Sequence, residues 1–386
     1  MSLAYFIIGI FAYFLIGTPA YCQDSSRLRI SLLTCTPGEE LYSTFGHSAL
    51  RVIDSNAVSD IIFNYGTFDF NDPDFYSKFI RGKLLYVLSA EKLEDFLFTY
   101  QIENRGVAEQ LLDLTGPEKI RIKHFLAENL KEENRWYKYD FTFDNCTSRL
   151  RDIIVKYKEP QPQLPAVMPS NFTFRNGIHH YLNFNKHHWS KLGIDILLGS
   201  RMDKAMTTAQ QQFLPDNLMY ALDSSRNTRV VAAKKDLFIA QKTADKFSWF
   251  TPLLLFSVIT IFWILAGFSQ NKIAKAVLGG LDRLLFFSTG LLGILLLFMW
   301  WGTDHFMTKD NYNLLWALPS NAIMAFFTRS KKNRVKKYFL FVAVLYAALL
   351  LLWFFLPQQM NNGLIPVIIL LMIRSFLIHK NSRAGL

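Results

Sequence analysis

Cysteine is scarce in this sequence, with 3 residues in 386, at positions 22, 35 and 146. That scarcity leaves room for one internal disulfide, between Cys35 and Cys146, if Cys22 is removed with a leader segment. Positive charge is also missing where an export signal normally carries it, because residues 1–17 contain neither Lys nor Arg. The stretch 3–17 is nevertheless apolar, and Ala20 and Cys22 fit positions −3 and −1 of a cleavage site before Gln23. Cleaved signal and retained anchor are both open readings, and either leads the following residues out of the cytoplasm. Bulky Tyr21 argues against a lipidated Cys22. No internal repeat is visible. The formal charge of +11 suggests nucleic acid at first sight, but the densest basic run, 329–337, is wedged between apolar segments. There it acts as a topology signal, so no nucleic-acid partner is expected. His179, His180, His187 and His188 have no cysteine or tight acidic partner and are interleaved with aromatics, which favours interfacial anchoring over metal. Neither a metal nor a soluble cofactor is expected.

What is present divides sharply. Polar and charged residues fill the chain to about position 246, and long apolar runs dominate 249–378. The expected domains are a signal or anchor at 1–22, an exported domain at 23–246 and a five-helix membrane domain at 247–386. Within the exported part, 28–33, 47–53 and 60–65 read as strands, and 91–100, 117–130 and 145–157 have helical spacing. The proline-rich stretch 159–169 reads as a linker, followed by a less periodic region that ends in the charged segment 226–246. Five candidate spans lie near 249–268, 284–301, 314–328, 338–356 and 363–379, two of them close to the minimum for ~30 Å of hydrocarbon. With the globular part outside, Lys272, Lys275, Arg283 and the 329–337 run fall inside, while the outer loops carry one Lys between them.

Two residues carry the candidate chemistry. Cys146 follows Asp144-Asn145 at the start of an amphipathic helix, where Asp144 is a plausible N-cap. A thiol in the first turn feels the positive end of the helix macrodipole, which favours thiolate. A thiolate is a good acyl acceptor and a good leaving group. His47 heads a strand directly after Gly46 and supplies a base with a pKa near neutrality. Asn64 or Tyr65, on the next strand, could orient it. Asp304 and His305, where the second span leaves the membrane, together with Asn311 and Asn313, form a polar cluster at headgroup depth that could bind substrate. Asn321 and Ser320 read as helix-packing residues.

The order of a strand-borne His, a polar residue on the following strand and an Asn-Cys at a helix start resembles the circularly permuted papain-like fold. Lecithin:retinol acyltransferase relatives and some NlpC-type peptidases share that order. Longer strings are more specific: LTCTPGEELYSTFGH at 33–47, NYGTFDF at 64–70, YDFTFDNC at 139–146 and RLRD at 149–152. With TFR at 173–175, GIDILLG at 193–199, FLP at 213–215 and TDH at 303–305 followed by Asn311, Asn313 and LLW, the chain resembles the Lnb family of lipoprotein N-acyltransferases. That resemblance implies an α+β papain-like exported domain, followed by an all-α multi-span membrane domain in a bacterial inner membrane. It also implies transfer of an acyl group from a membrane phospholipid to the N-terminal amine of a diacylated lipoprotein, with His47 and Cys146 as the matching motif residues. Two other readings stay open from the residues themselves. One is a membrane-anchored cysteine hydrolase, and the other a non-catalytic scaffold stapled by a Cys35–Cys146 disulfide.

Overall fold

The computed structural model describes residues 27–69, 71–241 and 248–381, so the expected leader at 1–22 lies outside the described residues. The N-terminal part is built on β1 (Leu28–Cys35), β2 (His47–Asp54) and β3 (Ser59–Thr67). It continues through α1 (Phe75–Ile80), β4 (Leu85–Lys92), α2 (Leu93–Ile102), β5 (Val107–Leu112), α3 (Gly116–Asn129), β6 (Trp136–Lys138) and α4 (Cys146–Tyr157). These strands and a later one, β7 (Val231–Phe238), form a seven-stranded antiparallel sheet ordered β6-β4-β3-β2-β1-β5-β7.

The central strands are covered on both faces, and their side-chain alternation divides between two cores. Leu32, Leu50 and Val52 face Ile122 and Leu126 of α3 and Leu150, Ile153 and Ile154 of α4. Leu33, Cys35, Ala49 and Ile62 face Phe96 and Tyr100 of α2. Double coverage explains why β1 is buried at every position but Arg29 rather than at alternate ones.

Two expectations change here. Residues 91 and 92 finish β4 instead of opening a helix, because Glu91 pairs across the sheet with Ile62 and α2 begins only at Leu93. The charged segment beyond 226 contains the edge strand β7, whose exposed Lys234, Lys235 and Asp236 tolerate the sheet margin. The less periodic region forms α5 (Phe174–Phe184), α6 (His188–Leu197) and α7 (Pro215–Asp223). Phe174, Ile178, Tyr181, Met202 and Phe213 make a third core there.

The C-terminal part is helical: α8 (Pro252–Gly267), α9 (Lys272–Trp301), α10 (Ser320–Met324), α11 (Asn333–Leu351) and α12 (Ile365–Asn381). Among the described residues, two helical stretches, Lys272–Trp301 and Asn362–Lys380, are long and apolar enough to cross a membrane, and α8 is a shorter apolar helix. The expected span at 314–328 is instead a broken segment of short turns around α10, folded against α9. Gly290 and Gly293 permit that approach, since a Cβ on either would come within 2.0 Å of the backbone of Ala322 or Ala317. Asn321 then satisfies its amide inside the helical core, donating to the Tyr346 hydroxyl at 2.9 Å and accepting from Tyr338 at 2.8 Å. A second polar staple, Arg374 on Asp282, joins α12 to α9.

The two parts are fastened at the end of α6. A helix leaves its last carbonyls without intrahelical donors, and here they are capped from the other part of the chain. Asn313 donates to the carbonyls of Asp195 and Ile196 at 2.9 and 3.2 Å, and Asn311 to Ile196 and Leu197 at 2.8 and 3.1 Å. Gln358 reaches Leu198 O at 3.0 Å, and Asn361 reaches the Asp195 carboxylate at 2.9 Å. Arg175, buried, holds Asp195 and Asp203 and the carbonyls of Leu198 and Gly199 from the opposite side.

Asn313→Ala would orphan the Asp195 carbonyl and the Trp316 indole N–H, which donates to Asn313 Oδ1 at 2.9 Å. A loss of about 2 kcal/mol or more is expected, read as a lower unfolding midpoint in detergent. An unchanged midpoint would mean that this seam does not hold the two parts together.

Candidate functional site

Gly46, Asn145 and a bulge in β3 position the central residues. Gly46 has φ +77, and a Cβ there would lie 2.7 Å from the carbonyl oxygen of Cys35, so only glycine fits the turn that delivers His47 to the head of β2. Asn145 caps α4, accepting from Ser148 N at 2.8 Å, while Ser148 Oγ accepts from Asn145 N at 2.9 Å. Its amide donates to Phe141 O and Phe213 O at 2.8 and 2.9 Å, which locks the cap. Asp144 is therefore not the cap. It pairs with Arg149 at 2.6 Å, and the Arg149 guanidinium lies over the Tyr137 ring. Cys146 becomes the first residue of α4, and Thr147 ties that turn to β2 through Ser48 at 3.1 Å. In β3 the register shifts by one residue between Asn64 and Thr67, a bulge that re-aims the strand beside the site.

These elements bring Cys146, His47 and Asn64 together. His47 Nε2 lies 3.0 Å from Asn64 Oδ1, and the other ring nitrogen is left for the hydrogen bond with the Cys146 thiol. Burial opposes ionisation of Cys146, but several partners outweigh it. The His47 imidazolium, its hydrogen bond, the Ser48 backbone amide and the Thr147 hydroxyl together bring the thiol down to about 7. Burial likewise resists charge on His47, yet the facing thiolate and Asn64 raise its pKa overall. The pair therefore favours thiolate and imidazolium near neutral pH. Cys35 is the contrast: burial lifts its pKa to about 12. Both thiols are free, so the Cys35–Cys146 disulfide does not form.

Sequence reasoning missed Glu91. Asn64 donates to Glu91 Oε1 at 2.5 Å, which orients the amide so that its oxygen, not its nitrogen, faces His47. Assigning residues 91–100 to a helix hid this carboxylate, which sits on β4 beside β3.

Tyr65 does not reach the site. It is buried on the other face, its hydroxyl donates to Asn129 and its ring packs on Tyr137. The alternation of β3 sends adjacent residues to opposite faces, so Asn64 and Tyr65 could not both serve His47. Asn311 and Asn313 also stand elsewhere, as the helix-capping amides of the seam.

Asp304 and His305 do join the site. They line one cavity of about 990 Å³ with His47 and Cys146, walled mainly by Phe45, Phe68, Phe75, Tyr86, Tyr139 and Phe306. His305 Nε2 donates to Phe79 O at 3.0 Å, Asp304 N donates to Arg81 O at 2.9 Å, and Lys138 pairs with Asp304 at 2.8 Å. The loop after α9 thus forms part of the cavity wall. His179 is engaged by Asp195 at 2.7 Å, and His187 lies 3.5 Å from the Thr44 hydroxyl.

A thiol, an imidazole and an amide thus stand in line at the start of α4, in an apolar cavity partly walled by the helical part of the chain. Residues 22–176 match the model of the Lnb N-terminal periplasmic domain, and residues 243–383 match the Lnb transmembrane domain. The chain belongs to the Lnb family, and it is a membrane protein with a periplasmic domain. No curated protein and no solved structure matches it.

The electrostatics set a pH signature. Alkylation of Cys146 by iodoacetamide is expected to follow a titration near pH 7, its rate falling about tenfold for each unit below that pH. Removing the imidazole leaves burial unopposed, so His47→Ala shifts the titration upward and slows alkylation at pH 7 by about tenfold or more. Glu91→Ala, which frees the Asn64 amide to turn over, lowers the same rate several-fold, and Glu91→Gln less. A His47→Ala profile that overlays the native one would remove His47 from the pair.

Proposed function

We propose that this protein is a lipoprotein N-acyltransferase working through an acyl thioester on Cys146. The observation that carries the reading is the Cys146 thiol held near a pKa of 7 against His47, inside an apolar cavity that the loop after α9 helps to wall. In the proposed reaction the thiolate attacks an ester carbonyl of a membrane phospholipid, forming the C–S bond. Backbone amides at the start of α4 are candidates to hold the oxyanion. The C–O bond breaks, and the leaving alkoxide takes the proton from His47, releasing lysophospholipid. The N-terminal amine of a diacylated lipoprotein then attacks the thioester. A C–N bond forms, the C–S bond breaks, and His47 accepts the amine proton. Asn64 keeps the imidazole in the working orientation, and Glu91 keeps Asn64 in its own.

Physical economy supports the reading. Donor and acceptor are both lipid-anchored, so a site fixed over its own membrane helices receives them laterally, without extraction into water. The order of His47, Asn64 and Cys146 along the chain is that of a circularly permuted papain-like domain, and a multi-span anchor in a bacterial inner membrane fits the helical part. A hydrolase using the same pair would release the acyl group to water and need no amine.

The test is the mass of a reporter lipoprotein's N-terminal peptide in cells lacking their own N-acyltransferase. One added acyl chain is expected with the native protein and none with Cys146→Ala at equal expression. An unmodified peptide beside well-inserted native protein would sink the transferase reading in favour of the hydrolase. Acylation that survives Cys146→Ala would place the chemistry elsewhere.

A further inference from the structure

The strand order puts two different walls on either side of His47. On the β4 side, α1 and the loop carrying His305 contribute Phe75, Tyr76, Phe79 and Phe306 to the cavity. On the β5 side, the turn before that strand contributes Arg105, under the loop that carries Tyr42 and Ser43. The cavity is thus apolar towards the helical domain and cationic beyond His47.

Arg105 is built into place and only partly used. It is 5% exposed, its Nε donates to Thr36 O at 2.9 Å, and its Nη1 donates to Glu103 at 2.7 Å. Its guanidinium stacks on the Tyr100 ring with 4.7 Å to the centroid. Nη2 is buried and has no hydrogen-bond partner among the described residues. A buried guanidinium N–H without an acceptor is costly, and such groups are retained where a ligand satisfies them. The carboxylate of Glu103 is shared with the Tyr42 hydroxyl and is itself partly exposed. Lys138, the other Lys or Arg side chain lining the cavity, is held by Asp304.

We propose that Arg105 is a phosphate subsite: Nη2 takes an oxygen of the phosphodiester of a glycerophospholipid whose acyl ester lies over Cys146 and whose tails run between α1 and the His305 loop. Guanidinium and phosphodiester form short, charge-assisted hydrogen bonds, and the planar fork fixes orientation as well as affinity. The choice of a lipid rather than a free anion rests on the acyl-transfer reading and on the apolar wall that continues from the same cavity. An electrostatic consequence follows. Arg105 opposes charge on His47, so an anion that neutralises it removes that opposition when donor is bound.

The experiment uses the full chain in a phosphate-free detergent, with Cys146→Ala to prevent turnover. Titration calorimetry with dihexanoylphosphatidylglycerol is compared with dihexanoylglycerol, which lacks the phosphate. Arg105→Gln is expected to weaken phospholipid binding about tenfold and leave dihexanoylglycerol unchanged, with Arg105→Lys falling between. Equal phospholipid affinity in native and Arg105→Gln chains overturns the subsite. So does equal weakening for both lipids, which is the mark of a merely structural arginine. Inorganic phosphate that binds as tightly as the phospholipid, and depends on Arg105, would overturn the lipid and leave a free-anion site. The two readings fail separately. Arg105-dependent phospholipid binding by a chain whose Cys146 never acylates keeps the subsite and removes the transferase. Acylation of Cys146 with Arg105-independent binding does the reverse.

Discussion

Where the helical part meets the site depends on how the end of α6 is finished. The carbonyls of Asp195, Ile196, Leu197 and Leu198 have no partners within their own helix, and amides from the helical part supply them. Such a cap differs from a hydrophobic contact in one respect: it is directional, so it fixes rotation as well as distance. Because Asn311 and Asn313 follow closely on His305 in the chain, the same residues that satisfy α6 also set where the His305 loop meets α1. The His305 wall and the thiol at the start of α4 are thereby held in one cavity by the ordinary requirement that buried carbonyls find donors.

Within that frame, the thiol is decided by competition between burial and charge. Desolvation alone sends a cysteine upward, as Cys35 shows at about 12. Cys146, half-buried at the cavity wall, ends near 7 because an imidazole, a backbone amide and a hydroxyl outweigh the burial it does have. The two residues differ in depth and, more tellingly, in neighbours, since no imidazole faces Cys35. That difference also explains why only one of two free thiols is suited to nucleophilic work.

The sequence was most legible where local rules act alone. Strands β1 to β3 and the helices α3 and α4 lie close to where alternation, periodicity and capping place them, and the His47–Asn64–Cys146 group follows from strand adjacency and a helix start. Legibility failed where partners come from far along the chain. Glu91 reads as helical because its apolar neighbours have helical spacing, and only the pairing of β4 with β3 reveals it as a strand residue holding Asn64. Asn311 and Asn313 look like headgroup ligands because polar residues beside a span usually face lipid. Their role as caps needs the terminus of α6, more than a hundred residues earlier. The segment 314–328 has the composition of a span but not its geometry, since Gly290 and Gly293 draw it against α9 as a broken strap. Tyr65 fails for a simpler reason: strand alternation allows one of two neighbours into a site, and Asn64 took it.

The contacts around the cavity divide by strength, and that division bears on how a lipid could reach the thiol. The α6 seam is buried and made of multiple amide hydrogen bonds, which resist opening. The cavity rim is closed by different means. Lys138 and Asp304 are both exposed at their contact, and ion pairs in water contribute little and weaken further with salt. The loop holds α1 by two bonds, His305 Nε2 to Phe79 O and Asp304 N to Arg81 O, and α1 is only 6 residues long, with Tyr76, Phe79 and Ile80 exposed. Opening the rim therefore costs far less than loosening the seam. In the proposed reaction a lipid displacing α1 would meet an aromatic wall in place of its membrane surroundings, with the thiol, imidazole and capped helix behind it. Rigid parts hold the chemistry, and the weakly held part faces the helical domain from which the substrate of the proposed reaction would come.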